Sequence, residues 1–573
     1  MKTKLPTRVS ILMLATMPTL AMAAAPASGS LSAAQDSVVN LLQALVNKGV
    51  VTQEQALAMV ADAQLRTENE VKSRRSEAAA VTAPAVAPLP VAPPPPAPAP
   101  AVAAVADTRV GAGDVRVTYV PQIVKDEIRD QVRAEVTPQV VDQVMQRAKE
   151  EKWGVPGALP AWVANLRFNA DVRVREQADL FASDNAEFAY LDFVTVNDRG
   201  GIGKAGAAAL LNTTQDRMRT RVRVRAGVEA KLSDSFTAGL RLATGNFRDP
   251  VSTNQTLSQV GGRYTVGLDQ AYIRYDARAT KDWSWLTATG GRMANPYVST
   301  DMVWDPDLTF EGFTVTGRMG LGNNAKKHNA FLTVGAYPLE EVELSSKDKW
   351  LYAVQTGVDW KFSNQSRLRG SVAYYMYDNI AGKRNPLDST VYDFTAPRWL
   401  QKGNTLFDIR NDVDPTTNLF ALAADYELVD VIVAYDMPMF DRYQLSLLAD
   451  YVRNVGYDRA AVARRLQLAN GAGPQARTEG YQLEVGFGYP RVDRARAWRA
   501  SLQYRYLQRD AVLDAFTDSD LHLGGTDTQG YVLRGDYGLT KNVYLSLRYL
   551  SANEIDGPPL GIDTVMLDLN GQF

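Results

Sequence analysis

The sequence predicts an all-β, antiparallel transmembrane barrel of about sixteen strands, carried on an N-terminal α-helical extension. Three observations predict it. Long segments alternate between apolar and charged residues, so each would present one apolar and one charged face. The links between these segments alternate between short turns and long polar loops. No stretch after the first 25 residues or so holds the roughly 20 apolar residues that a spanning helix needs. A barrel escapes that last test, because its lipid-facing residues alternate with lumen-facing ones. Composition agrees: 573 residues exceed one ordinary soluble domain, with 46% hydrophobic residues and a mean hydropathy of −0.22. The absence of cysteine excludes disulfides, thiolate metal sites and cysteine nucleophiles, and a net charge of −2 gives no reason to expect nucleic-acid binding.

Residues 1–23 read as a secretory signal peptide. Lys2, Lys4 and Arg8 precede the apolar run Val9 to Leu20, and Ala21-Met22-Ala23 is a small-x-small cleavage site. Residues 24–77 read as a helical hairpin, with Val38 to Val46 and Gln53 to Leu65 joined at Lys48-Gly49, where glycine suits a helix C-cap. Thr52 and Gln55 form a capping-box pattern for the second helix. Residues 78–120 begin with an Ala/Pro/Val tract that cannot pack a core and reads as an extended linker. Residues 121–152 are helical again, with Val124, Ile128, Val132, Val136, Val140 and Val144 at every fourth position and a kink at Pro138. This narrow stripe fits a coiled coil, for instance at a homotrimer axis. It equally fits a helix on the barrel's periplasmic rim or plugging its mouth.

The barrel occupies residues 160–573. In its first strand Leu166, Phe168, Ala170, Val172 and Val174 take one parity, and Arg167, Asn169, Asp171, Arg173 and Arg175 the other. The second strand repeats the pattern with Arg217, Arg219, Arg221, Arg223, Arg225 and Glu229 on its charged face. Sixteen segments follow this rule to the C-terminus, one of them a long run over 418–436. Short turns such as Ser233-Asp234, Ser363-Asn364-Gln365 and Thr540-Lys541 alternate with loops such as 177–215, 294–309, 378–417 and 509–527. An even strand number places both termini on the short-turn side, the periplasm. Phe236, Trp283, Trp285, Trp360, Phe362, Tyr489, Trp498, Tyr537 and Tyr544 cluster near the short turns, as an aromatic girdle at a lipid interface would.

The chain closes on Val565-Met566-Leu567-Asp568-Leu569-Asn570-Gly571-Gln572-Phe573. This alternating strand ending on Phe573 resembles the signal read by the outer-membrane assembly machinery. With Leu41 to Val50 and the Trp162 to Arg175 stretch, it makes the chain resemble the putative porin family of Gram-negative bacteria over nearly all its mature length. The resemblance implies an outer-membrane, water-filled channel for passive diffusion of small hydrophilic solutes, bathed by outer-membrane lipid. These motifs imply fold and class better than substrate.

On this reading the lumen carries Arg167, Asp171, Arg173, Arg175, the five arginines 217–225, Glu229, Arg241, Arg274, Arg292, Arg318, Arg369, Arg505, Arg534 and Arg548, with Asp276, Asp536 and Asp568 as further acids. Guanidinium stays charged at any relevant pH and binds carboxylate and phosphate through a planar fork. Such a wall either favours anions or is a structural ladder paired with acids from an inward-folded loop. Loops 178–198 and 405–414 could supply them, with Asp179, Asp184, Glu187 and Asp192 facing the basic wall.

His328 and His522 have no serine partner in view, so no catalytic residue is assigned. Asp301, Asp305 and Asp307 could ligate calcium through loop oxygens or form a solvated acidic loop; no metal or cofactor is assigned. The rival to a channel is an envelope tether or adhesin whose N-terminal extension binds peptidoglycan or another envelope component.

Overall fold

The computed structural model describes residues 163–573 apart from 281, 323, 344, 415, 441 and 469–472. The predicted signal peptide, hairpin, linker and 121–152 helix lie outside the described residues. The strands are β1 (Leu166–Phe181), β2 (Arg217–Lys231), β3 (Phe236–Thr244), β4 (Gln255–Thr256), β5 (Val266–Thr280), β6 (Trp283–Ala294), β7 (Thr309–Gly320), β8 (His328–Glu340), β9 (Lys349–Lys361), β10 (Arg367–Asp378), β11 (Leu406–Asp408), β12 (Phe420–Leu422), β13 (Glu427–Met439), β14 (Tyr443–Asn454), β15 (Glu479–Gly488), β16 (Trp498–Leu507), β17 (Thr528–Thr540), β18 (Val543–Glu554) and β19 (Gly561–Gln572). Among the described residues three short α-helices sit in loops: α1 (Phe193–Arg199), α2 (Ile202–Ala205) and α3 (Arg459–Arg465).

Leaving out β4, β11 and β12, sixteen antiparallel strands close the barrel, β19 pairing with β1 from Phe181↔Ile562 to Asp171↔Gln572. Closure removes the sheet edges that would otherwise seek another chain. β4 docks on β2 at Arg221 and Val222, beyond the end of the short β3. The predicted strand over 418–436 divides. Its first part is β12, which pairs with β11 in a separate loop hairpin, and only Glu427 onward joins the barrel. Strand alternation is therefore kept.

Alternation decides which face meets lipid. On β1, Val172, Val174 and Leu180 stand exposed while Arg175, Gln177 and Asp179 are buried inside. Phe236, Trp285, Trp360, Phe362 and Tyr537 form an exposed belt at the short-turn end. Tyr544, expected in that belt, instead lines an interior chamber. Tyr451, Tyr481, Tyr504, Tyr506, Tyr531 and Tyr549 form a second aromatic band on β14–β18 toward the long-loop end, with Tyr504 and Tyr531 at 4.8 Å between ring centroids. Amphipathic rings at both edges of an apolar band suit a lipid bilayer.

Candidate functional site

The inward face of β1 and β2 is a wall of guanidiniums, with the acidic β19 beside it. Register sets Arg173 opposite Arg223 and Arg175 opposite Arg221, and like charges so placed repel unless compensated. Compensation comes in pairs. Asp171 holds Arg223 at 2.8 Å and Arg225 at 2.7 Å. Arg175, wholly buried, lies between Asp568 at 2.7 Å and Asp520 at 3.0 Å. Asp520 also takes Arg548, and Asp179 takes Arg219. Further round the wall, Arg241 pairs with Asp269, Arg274 with Asp276, Arg369 with Asp359 and Arg534 with Asp536. Glu229 accepts from Tyr272, and Arg167 faces it across the strand pair at the short-turn end. Arg318 donates to Thr287. Arg292 stands apart: it pairs with the exposed Glu311, on the parity opposite the buried Met293. Phe573 joins its backbone to Ala170 and leaves its ring exposed.

Of the four acids the sequence suggested, Asp179 reaches the wall, from β1 itself on Arg219, and the other three do not. Asp184 and Glu187 are exposed, and Asp192 caps α1 through Thr195. Asp408 satisfies its own loop. The inward loop is instead 295–308, between β6 and β7. Its Asp307 meets Arg225 at 3.1 Å and Arg223 at 3.5 Å and accepts from Thr253. Its Asp301 meets the buried Arg505 at 2.6 Å. Thr300 donates to Asp450 and Val298 to Gln355. The loop is thus stitched to β2, β9, β14 and β16, across the barrel. Asp301 and Asp307 are arginine partners, and the buried Asp305 accepts from the Asp307 and Ser519 backbones. Burial alone would raise Asp307, yet the guanidiniums of Arg223 and Arg225 outweigh it and hold the carboxyl below its ordinary range. Burial likewise opposes ionisation of Asp520, and Arg175 and Arg548 overcome it. Asp305 and Asp518 go the other way: burial, reinforced by neighbouring carboxylates, pushes Asp305 up and Asp518 to about 6.

Sequence reasoning missed the opposite half of the interior. There Tyr337, Leu351, Tyr375 and Leu428 of the wall pack against Met302, Trp304, Leu400, Phe407, Leu419 and Leu513 from the loops, all of them buried. Trp304 lies 4.9 Å from Phe310 and 5.1 Å from Tyr375, edge to face, the arrangement aromatic quadrupoles favour. A signal was present: Val372, Ala373, Tyr374, Tyr375, Met376 and Tyr377 are apolar or aromatic on both parities, as in a strand buried on both faces. His522 is buried elsewhere, beside the β18–β19 link; its Nε2 meets the Leu560 carbonyl and its Nδ1 lies 3.5 Å from Glu554, which pairs with Lys402. His328 packs on Trp360.

Between the two halves the loops leave space. A 710 Å³ cavity and a 490 Å³ cavity adjoin at Asn246, Arg248, Trp399 and Leu400. A 250 Å³ chamber shares Ser519 and Asp520 with the second. In this smallest chamber Arg173, Arg223, Arg534 and Arg548 on the wall confront Asp301, Asp305, Asp307, Asp518 and Asp520 on the loops. Several wall arginines have no carboxylate within salt-bridge distance among the described residues: Arg167 and Arg318 toward the short-turn end, and three more toward the long loops. Arg173 donates to Asn254, Arg221 donates to Gln177 and lies 3.5 Å from Ser252, and Arg217 sits at the long-loop end of β2.

The sequence profile of the family described as putative porin matches residues 35–573. Among solved structures the chain is similar to the outer membrane channel DcaP of Acinetobacter baumannii, at 13% identity, covering 72% of this chain and 98% of that one with a TM-score of 0.36. It is also similar to OprB of Pseudomonas putida, at 13% identity over 74% and 97% with a TM-score of 0.41. A third is OmpF of Salmonella typhi, at 10% identity over 71% and 97% with a TM-score of 0.36. No curated protein sequence matches the chain at a significant level. The chain belongs to the putative porin family and is an outer-membrane β-barrel.

Proposed function

We propose that this member of the putative porin family passes small hydrophilic solutes by diffusion and prefers anions. One observation carries the preference: Arg217, Arg221 and Arg173, stepping down adjacent strands from the long-loop end, lack carboxylate partners, as Arg167 and Arg318 do toward the short-turn end, while Arg175, Arg219, Arg223 and Arg225 beside them are paired. Paired charges cancel at the distance of a passing ion, so the unpaired ones set the sign of the local potential. Their position inside is supported by cost, since an arginine facing lipid near the midplane would lose roughly 2–4 kcal/mol. The solute route runs along the charged half, because the other half is filled with apolar side chains. Phe573 acts in assembly: it closes the last strand on the first and leaves its ring exposed.

The test is a planar-bilayer recording in a salt gradient, using the full chain with Arg173, Arg217 and Arg221 all changed to Gln. The expected outcome is a conducting channel whose reversal potential moves toward cations. Unchanged anion preference would overturn the selectivity reading, and absence of conductance from the unaltered protein would overturn the channel reading.

A further inference from the structure

The two larger cavities differ in chemistry and share a tryptophan. The 710 Å³ cavity is lined by Leu339, Ile380, Leu422, Leu513 and Phe516, with Trp399 and Leu400 at its border. The 490 Å³ cavity carries Arg217, Arg219 and Arg221 along one side, and Trp399 and Leu400 border it too. The first cavity also carries Glu340, Glu341 and Lys349, and the second Asp179 and Asp520, but where they adjoin an aliphatic and aromatic surface lies next to arginines, with Trp399 bordering both. Each has the size of a small-molecule pocket, roughly 300–1,000 Å³.

Three donors at this junction are left over. Arg219 Nε, Arg221 Nε and Trp399 Nε1 are buried and have no hydrogen-bond partner. Buried donors are nearly always satisfied, and a cluster of orphans asks for an acceptor from elsewhere. The carboxylates lining the same chamber are held by other donors. Asp179 is engaged by Arg219, Asp198 by Arg248, Asp192 by Thr195 and Asp520 by Arg175 and Arg548. Asp249 accepts from the Val251 backbone. What is missing is a negatively charged acceptor, and what lies beside it is an aromatic and aliphatic wall.

We infer that the junction at Trp399 is a binding subsite for organic anions with an apolar body, such as single-ring carboxylates, the carboxylate meeting Arg219 and Arg221 and the ring resting against Trp399. The inference rests on the reading of the protein as an anion-preferring channel and narrows it to a substrate class. A chloride ion or acetate satisfies the donors alone; a ring also removes apolar surface from water. An uncharged aromatic leaves the guanidinium donors unmet. The subsite thus discriminates by requiring both ends.

The experiment is equilibrium binding of benzoate and of acetate, at neutral pH, to the full chain in detergent micelles, run beside bilayer recordings. Benzoate is expected to bind at least about tenfold more tightly than acetate, each tenfold being about 1.4 kcal/mol. Trp399→Ala is expected to abolish that ratio, and Trp399→Phe to retain most of it because the aromatic face survives. Benzoate binding no tighter than acetate, or a ratio that persists in Trp399→Ala, overturns the subsite. Binding with the expected ratio in a protein that conducts no anions upholds the subsite and overturns the channel reading, so the two fail separately.

Discussion

Along β1 and β2 the barrel's inward positions hold arginine after arginine, β19 beside them sets Asp568 against Arg175, and the loops that reach them bring aspartate. Along β9, β10 and β13 the inward positions include Leu351, Ala353, Ala373, Tyr375 and Leu428, and the loops that reach them bring Trp304, Phe407 and Leu419. Both walls anchor loops inside one barrel, but by different physics. The apolar contact needs only exclusion of water, so that side fills. The charged contact needs matched partners. Where a partner is lacking, as at Arg173, Arg217 and Arg221, the group needs water or a passing anion. Space therefore remains beside the arginines. A solute path follows from the asymmetry of the interior as much as from the barrel's diameter.

The largest expected effect breaks the apolar side. Trp304 is almost wholly buried and contacts Phe310, Tyr375 and Phe516. Trp304→Ala should destabilise the folded state by about 3–5 kcal/mol. The heat-modifiable gel shift should then occur at lower temperature, and single-channel current should become larger and noisier as loop 295–308 loosens. An unchanged transition would mean that the apolar cluster does not hold the loops.

The next effect breaks the charged side. Asp520→Asn removes the carboxylate shared by Arg175 and Arg548, leaving Asp568 to the buried Arg175. A hydrogen bond to a charged group contributes about 1.5–3 kcal/mol, so loop 508–527 should become more open to protease. The tyrosine cluster around Trp304 should keep its protection. If both halves loosen together, they act as one unit rather than two.

How far the sequence revealed this division depends on which face of a strand is read. The lipid face was legible throughout, because a period of two is hard to mistake over a strand such as 166–181. The arginine wall was legible for the same reason. The source of its partners was not: Asp307 and Asp520 reach β1 and β2 from loops distant in sequence, and no local pattern announces such a contact. The apolar half was hidden for the same reason. The doubly apolar run Val372 to Tyr377 carries no inward charge, and its inward Ala373 and Tyr375 meet loop residues far away in sequence. The division of 418–436 had a local cause, since Leu419 to Ala424 serves a buried loop hairpin before Glu427 begins the wall.

A third expectation sharpens the comparison through pH. Asp514, wholly buried in loop 508–527 with neither carboxylate oxygen partnered, is pushed by burial up to about 7. Its folded value lies above the unfolded one, so its contribution favours the seated loop at acid pH and is lost as pH rises toward 7. Between about pH 4 and 7 the loss is at most about 1.4 kcal/mol per pH unit. Asp307 and Asp520, both held low by arginines, stay ionised over that window and do not oppose it. Hydrogen exchange of loop 508–527 should therefore quicken from pH 5 to 7, after correction for intrinsic rates. Asp514→Asn should flatten the dependence. A dependence equally steep in the variant would assign it elsewhere, with Asp518, raised to about 6, the next group to replace.

The smallest effect separates a partnered from an unpartnered arginine on the same strand. Arg221→Gln and Arg223→Gln each delete one guanidinium from neighbouring inward positions of β2. Arg221 has no carboxylate to release, so its loss makes the local potential less positive and should move the reversal potential toward cations, by about twofold or less in permeability ratio. Arg223 releases Asp171 and Asp307 to Arg225 alone. Burial then gains on Asp307, its carboxyl moves upward and a proton partly replaces the missing charge. At pH 6 the selectivity change in Arg223→Gln should therefore be the smaller, while loop 295–308 exchanges faster. Equal shifts with equal loop protection would show that arginine count alone governs the channel, and that the distinction between paired and unpaired guanidiniums has no consequence for passing ions.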